Sequence, residues 1–241
     1  MSVQVSPTRG AVSVRRTLAL AGAGALAAAG LLGLAAPEAN AAESCSDVEV
    51  VFARGTAEPA GVGSVGQGFV DALRAELPNQ TVGVYAVNYP ASYDFLRAAE
   101  GANDASARVQ ATAAACPATS IVLGGYSQGA AVVDFITAAP GPVFGFTNLM
   151  PPQVADHVAA VAVFGNPSDR VGRPLTALSP LYGAKAIDLC NGADPVCSDG
   201  DDRPAHSLYV QSGLTTQAAD FVAQRVAGHN TAAVTELQSG S

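Results

Sequence analysis

Apolar residues arrive in short runs whose spacing changes between two periods, and each change marks an element. Asp47-Val48-Glu49-Val50-Val51-Phe52-Ala53 is a β-branched stretch ending at Arg54-Gly55-Thr56, which predicts a first core strand and a turn. From Gly63 to Leu77 the residues Val65, Phe69, Leu73 and Leu77 recur four apart, a helical stripe that Pro78-Asn79 ends. Thr81 to Val87 alternates as a second strand, closed by Asn88-Tyr89-Pro90, and Ala102 to Ala115 reads as a helix stopped at Cys116-Pro117. Ile121-Val122-Leu123 has the continuous apolar character of a buried parallel strand, and Gln128 to Ala138 is an Ala/Val-rich helix. A Gly/Pro-rich insert, Pro140 to Pro152, interrupts the alternation. After it come a short helix around Val154 to His157, a buried strand from Ala159 to Phe164, turns from Asn166 to Leu181, and a fifth strand from Ala184 to Leu189. Thr216 to Ala227 is a last amphipathic helix with Phe221 and Val222 facing inward. Strands alternating with helices predict an α/β fold: one domain, a three-layer α/β/α sandwich around a five-stranded, mainly parallel sheet.

The first 41 residues stand apart from that pattern. Arg15-Arg16 precedes a Leu/Ala/Gly run from Thr17 to Ala36, and Ala39-Asn40-Ala41 is a small-residue cleavage site, so residues 1–41 read as a secretory signal. Ser13-Val14-Arg15-Arg16-Thr17-Leu18 also resembles a twin-arginine signal, which leaves the export route open. Residues 42–241 form the expected domain, outside the cell and without stable membrane insertion. Removing the leader takes away Arg9, Arg15, Arg16 and Glu38, leaving nine basic and nineteen acidic residues. That balance, with no Lys/Arg run, argues against nucleic acid as a partner. Cys45, Cys116, Cys190 and Cys197 all fall in the exported part, where an even count favours disulfides. Closeness suggests Cys190 with Cys197, which leaves Cys45 with Cys116. Their spacing lacks the C-x₂₋₄-C pair of a zinc site, and Asp199, Asp201 and Asp202 lack the spacing of a calcium loop.

The chemistry concentrates at the end of the third strand. Gly125-Tyr126-Ser127-Gln128-Gly129 is a G-x-S-x-G pattern between a strand and a helix, the context in which small residues let a tight turn project a serine hydroxyl. The helix N-terminus beyond it turns backbone N–H groups toward whatever the serine attacks. A serine needs a base, and the base needs a carboxylate to fix its tautomer. His206, on a loop after the fifth strand, suits that role better than His229, read as lying in a polar tail, or His157, read as structural. Asp194 lies inside Cys190-Asn191-Gly192-Ala193-Asp194-Pro195-Val196-Cys197, twelve residues before His206, while Asp188 falls within the strand.

These motifs, together with Phe52-Ala53-Arg54-Gly55-Thr56, resemble the cutinase family, in particular its actinobacterial branch. The resemblance covers nearly all of residues 42–241. It implies a secreted serine esterase of the α/β-hydrolase fold with Ser127 as nucleophile, His206 as general base and acid, and Asp194 as the orienting acid. It further implies backbone N–H groups of Gln128 and Thr56 as the oxyanion hole, disulfides Cys45–Cys116 and Cys190–Cys197, and neither metal nor organic cofactor. The expected partner is an ester or lipid substrate, and a monomer is expected.

One departure bears on substrate. Ser198-Asp199-Gly200-Asp201-Asp202-Arg203-Pro204 is polar where fungal members carry an apolar pocket rim, which favours soluble or cell-envelope esters of short to medium acyl chains over cutin. Competing readings are lipase, phospholipase, thioesterase or acyltransferase activity, or an inactive envelope-binding protein.

Overall fold

A computed structural model describes residues 45–239, with side chains described as far as residue 230; the expected leader lies outside the described residues. The chain runs β1 (Val48–Ala53), α1 (Gly63–Glu76), β2 (Val82–Ala86), α2 (Ala98–Ala115), β3 (Ser120–Tyr126), α3 (Gln128–Ala138), β4 (Val158–Phe164), the single turns α4 (Pro167–Arg170) and α5 (Leu175–Leu178), β5 (Ala186–Leu189) and α6 (Leu214–Ser239). Five strands pair in the order β2-β1-β3-β4-β5, every neighbour parallel.

Alternation along the buried strands splits the core into two layers. Val51, Ala53, Ile121, Leu123, Val161 and Val163 face α2 and α3, whose contact residues are mainly alanine and valine. Val50, Phe52, Val122, Ala162 and Phe164 face α1 and α6. There the filling is aromatic: Phe52, Phe69 and Phe164 lie with ring centroids 5.9 to 6.4 Å apart, and Phe164 meets Tyr209 edge-on at 6.0 Å.

Two expectations change. Helix α2 starts four residues earlier, because a 3-10 turn at Phe95–Arg97 leads into it and Ala98 and Ala99 are already buried. Helix α6 runs on past Gly228, so His229 is not in an irregular tail; its ring lies 3.0 Å from Ser120 Oγ and 2.7 Å from the Asp156 carbonyl. Two long-range contacts thus override the local glycine stop signal. The insert 140–152 contains no helix until its final residue. Asn103 pins it to α2 through bonds to Gly145, Thr147 and Asn148, and Phe146 is buried beside Phe135.

Strand order fixes where chemistry can occur. From β1 the chain steps outward to β2, then returns past β1 to β3 and continues the other way. The carboxyl ends of β1 and β3 therefore flank the crevice at which a parallel sheet reverses direction.

Candidate active site

Ser127 occupies that crevice as the residue between β3 and α3, with φ 55° and ψ −116°. A non-glycine residue there carries roughly 1–3 kcal/mol of strain and persists only where the surroundings over-determine it. They do so here: Ser127 N–H donates to the Phe164 carbonyl at 2.8 Å, and the Ser127 carbonyl accepts from Ala130 N–H at 2.9 Å. Backbone crowding explains the flanking glycines. A Cβ on Gly125 would stand 2.2 Å from the Gly129 carbonyl oxygen, and one on Gly129 would stand 1.9 Å from that of Ala53. Neither position admits a side chain, and the same closeness sets the loop after β1 against the serine.

Two later segments bring up a ring and a carboxylate. Cys190–Cys197 closes the loop after β5, and Cys45–Cys116 ties the approach to β1 to the end of α2. Asn191 bridges the cystine loop to the next turn by donating to the Ala205 carbonyl at 2.7 Å. That turn, Arg203–Ser207, is capped by Asp202, whose side chain accepts from Ala205 N–H. From these two turns His206 Nε2 lies 2.9 Å from Ser127 Oγ, and His206 Nδ1 lies 2.7 Å from Asp194 Oδ2. The Asp194 side chain is wholly buried, whereas that of His206 keeps 21% of its surface exposed. Asp194 also accepts Val196 N–H on Oδ1 at 2.9 Å and the Tyr209 hydroxyl on Oδ2 at 2.6 Å. Tyr126 donates to the His206 carbonyl at 2.5 Å, and its ring lies 5.0 Å from the imidazole. Burial pushes both phenols well above the usual tyrosine range, so both remain donors. Such a row can take a proton from the hydroxyl onto the imidazole, with a fixed acceptor on its far side.

Thr56 and Gln128 meet on the other side of Ser127. Thr56 Oγ1 is 3.4 Å from Gln128 Oε1, and Gln128 Nε2 donates to the Ser92 carbonyl at 3.0 Å. Gln128 is the first residue of α3, so its N–H has no intrahelical acceptor. The Thr56 loop is built from within. Glu58 accepts Gly55 N–H at 2.7 Å, Ser64 N–H at 2.8 Å and the Ser64 hydroxyl at 2.9 Å. Buried Arg54 donates to the carbonyls of Glu58, Val87 and Tyr89.

Ser127, His206 and Asp194 are thus brought together, with Thr56 and Gln128 beside them. His229 is not; it sits at the opposite end of β3 on Ser120. Several residues here escaped the sequence reading: Arg54 and Glu58 as the frame of the Thr56 loop, and Tyr126 and Tyr209 behind the row. The placement of Tyr209 three residues after His206, one turn apart, was a usable signal. Tyr93, Phe95 and Leu96 were also overlooked. They follow Ser92 along the chain and are exposed to solvent at 61% to 77%.

Comparison with known proteins identifies the family. The Cutinase family model matches residues 44–226. The chain is 56% identical to phospholipase Culp4 of Mycobacterium tuberculosis over 214 residues, covering 89% of this chain and 93% of that protein. It is 52% identical to carboxylesterase Culp1 of the same organism, covering 77% and 84%. Among solved structures it resembles Trichoderma reesei cutinase in complex with a phosphonate inhibitor at 34% identity and a TM-score of 0.62, over 76% of this chain and 77% of that one. The catalytic core of acetyl xylan esterase from the same fungus matches at 26% identity and a TM-score of 0.65, over 75% and 99%. Similarity of this extent along the whole folded domain means that the chain belongs to the cutinase family and is a carboxylic ester hydrolase.

Proposed function

We propose that residues 42–241 are a secreted serine esterase, exported by a cleaved leader at residues 1–41, acting through Ser127, His206 and Asp194 on esters of short to medium acyl chains. The observation that carries this reading is the unbroken row from Ser127 Oγ through both imidazole nitrogens to Asp194 Oδ2. Its parts come from one chain, so a monomer suffices.

In this mechanism His206 Nε2 accepts the Ser127 proton as Oγ attacks the ester carbonyl, and Asp194 holds Nδ1–H and stabilises the imidazolium. The oxyanion forms against the N–H groups of Gln128 and Thr56. His206 then gives its proton to the departing alcohol, leaving an acyl-enzyme on Ser127. Water, deprotonated by His206, attacks the acyl carbon; the same proton returns to Oγ as the acid leaves.

A second reading, cleavage of lipid esters, is favoured by one feature. Tyr93, Phe95 and Leu96, interrupted by Asp94, are exposed apolar side chains just after Ser92, whose carbonyl holds the Gln128 side chain, and the chain is similar to a protein named as a phospholipase. p-Nitrophenyl esters of two to sixteen carbons and a dispersed phospholipid, assayed side by side with Ser127→Ala, separate the two. Peak turnover below about ten carbons with slow phospholipid release supports the first reading, where the gain per added methylene, about 0.8 kcal/mol, ends when the groove is filled. Faster phospholipid release supports the second. Full activity in Ser127→Ala defeats both.

A further inference from the structure

Tyr209 is wholly buried, yet its hydroxyl does more than fill space. The oxygen accepts Asn191 N–H at 3.2 Å, which leaves its own proton directed to Asp194 Oδ2 at 2.6 Å. That oxygen is also the one facing His206 Nδ1. Asp194 Oδ1 is occupied separately by Val196 N–H. The phenol has little freedom to turn elsewhere. Its ring is wedged edge-on against Phe164 and Tyr126, and its carbonyl accepts from Leu214 N–H and Thr215 N–H where α6 begins. Cys197 Sγ lies 3.4 Å from the hydroxyl, so the cystine closes the remaining side.

We propose that Tyr209 is a positioning residue of the esterase: by donating to the oxygen of Asp194 that also receives His206 Nδ1–H, it orients the carboxylate and sets the basicity of the imidazole. This rests on the triad reading above. A carboxylate oxygen that accepts two protons offers less negative charge to each, so the phenol weakens the pull of Asp194 on the imidazolium that forms as the serine proton is taken. A neutral imidazole is the form that accepts the serine proton, so loss of the phenol should register on the acid side of the rate profile. Tyr126 provides the contrast, because it anchors the His206 backbone carbonyl and has no bond to the carboxylate.

The test is the acid limb of kcat/KM against pH for a soluble short-chain ester. Tyr209→Phe should move that limb up by about half a unit to one unit and lower the plateau about tenfold, through kcat more than KM. 3-Fluorotyrosine at position 209 keeps the shape and donates more strongly, so it should move the limb down; this measurement stands even if the phenylalanine variant does not fold. Tyr126→Phe should slow turnover without moving the limb. Stoichiometric labelling of Ser127 by a phosphonate is read in every protein. Labelled enzymes whose acid limbs coincide would mean that Tyr209 only packs, and the proposal fails. Label on another residue of the unaltered enzyme would overturn the triad reading, and this inference with it.

Discussion

Asp194 is a carboxylate withdrawn from water and the trio Asp134, Asp169 and Asp188 are partly so, and their surroundings differ in what answers the charge. Around Asp194 a backbone N–H, a phenol and an imidazole fill the lone pairs of both oxygens. Around the trio, donors are scarce. Asn166 Nδ2 is shared between Asp134 Oδ1 at 3.2 Å and Asp188 Oδ2 at 3.1 Å, and Leu175 N–H supplies Asp188 with one more bond. One oxygen each of Asp169 and Asp188 has no protein partner among the described residues. Burial first, and the charge of Asp188 next, push Asp169 up to about 7; at Asp134 burial, with the charge of Asp188 adding to it, outweighs the bond from Asn166 and pushes it, too, up to about 7. Asp188 is displaced upward by burial as well. Among the described residues no three His, Cys, Asp or Glu side chains are placed to hold a metal ion. Burial with few donors therefore favours the protonated forms of the trio. A carboxylate left short of donors, with other carboxylates beside it, favours its protonated form.

The sharpest way to break that contrast is Asp194→Asn. It leaves the shape of the site but sets an amide where a carboxylate must face the His206 Nδ1–H, and kcat should fall about 10⁴-fold with melting temperature nearly unchanged. A loss below tenfold in steady-state hydrolysis would remove Asp194 from the mechanism. Replacing Cys190 and Cys197 together by Ser acts on the frame rather than the charge. Chain entropy alone gives about 2.5 kcal/mol for a loop this short, and kcat should drop as well because the loop presents Asp194 to His206. Unchanged kcat in the folded variant would show that the hydrogen bonds suffice without the cystine.

The trio should make itself felt in stability against pH. Folded-state acids raised from 3.8 to about 7 contribute stability that is complete below about pH 4 and is lost as pH rises through about 7. Asp169 is partly open to solvent and Arg173 borders the same cavity as Asp134, so the total is discounted to on the order of 1–2 kcal/mol, a few degrees of melting temperature. Asp134→Asn, which can still accept from Asn166, should flatten the fall in melting temperature between pH 5 and 8. A slope identical to the unaltered protein would mean that these acids do not titrate there. Smallest is Asp199→Asn, an exposed acid in the 198–204 loop, which should stay within about 0.5 kcal/mol in the same melts.

What could be read from the chain was what short segments encode. The elbow needs two glycines within five residues of each other, the acid loop is delimited by its own cysteines, and the parallel strands are unbroken apolar runs. Tyr209, Glu58 and the trio were hidden for a shared reason: each looks ordinary in its own segment and gains its meaning from a partner in another. Asp134 is one acid in the apolar stretch Val132-Val133-Asp134-Phe135, Asp169 follows a turn, and Asp188 sits in a strand. Only the packing of α3, α4 and β5 around Asn166 joins them. Helix α6 failed the local reading in the opposite direction, since tertiary anchors at Ser120 and Asp156 carry it through a glycine.

Strand order β2-β1-β3-β4-β5 makes the crevice one of the last features the chain can assemble. Val48 pairs with Ser120 and Ile121 with Val158, so no strand of the sheet finds a neighbour through a hairpin. Loop-closure entropy must be met before any of those pairings rewards it, which places such sheets among the slower folders. Thr56, Ser127 and the pair Asp194 and His206 come from three separate connections, and none of them is in place until the crossovers are. After dilution from denaturant, far-ultraviolet ellipticity should therefore recover ahead of hydrolysis, with returning turnover marking the arrival of the native topology.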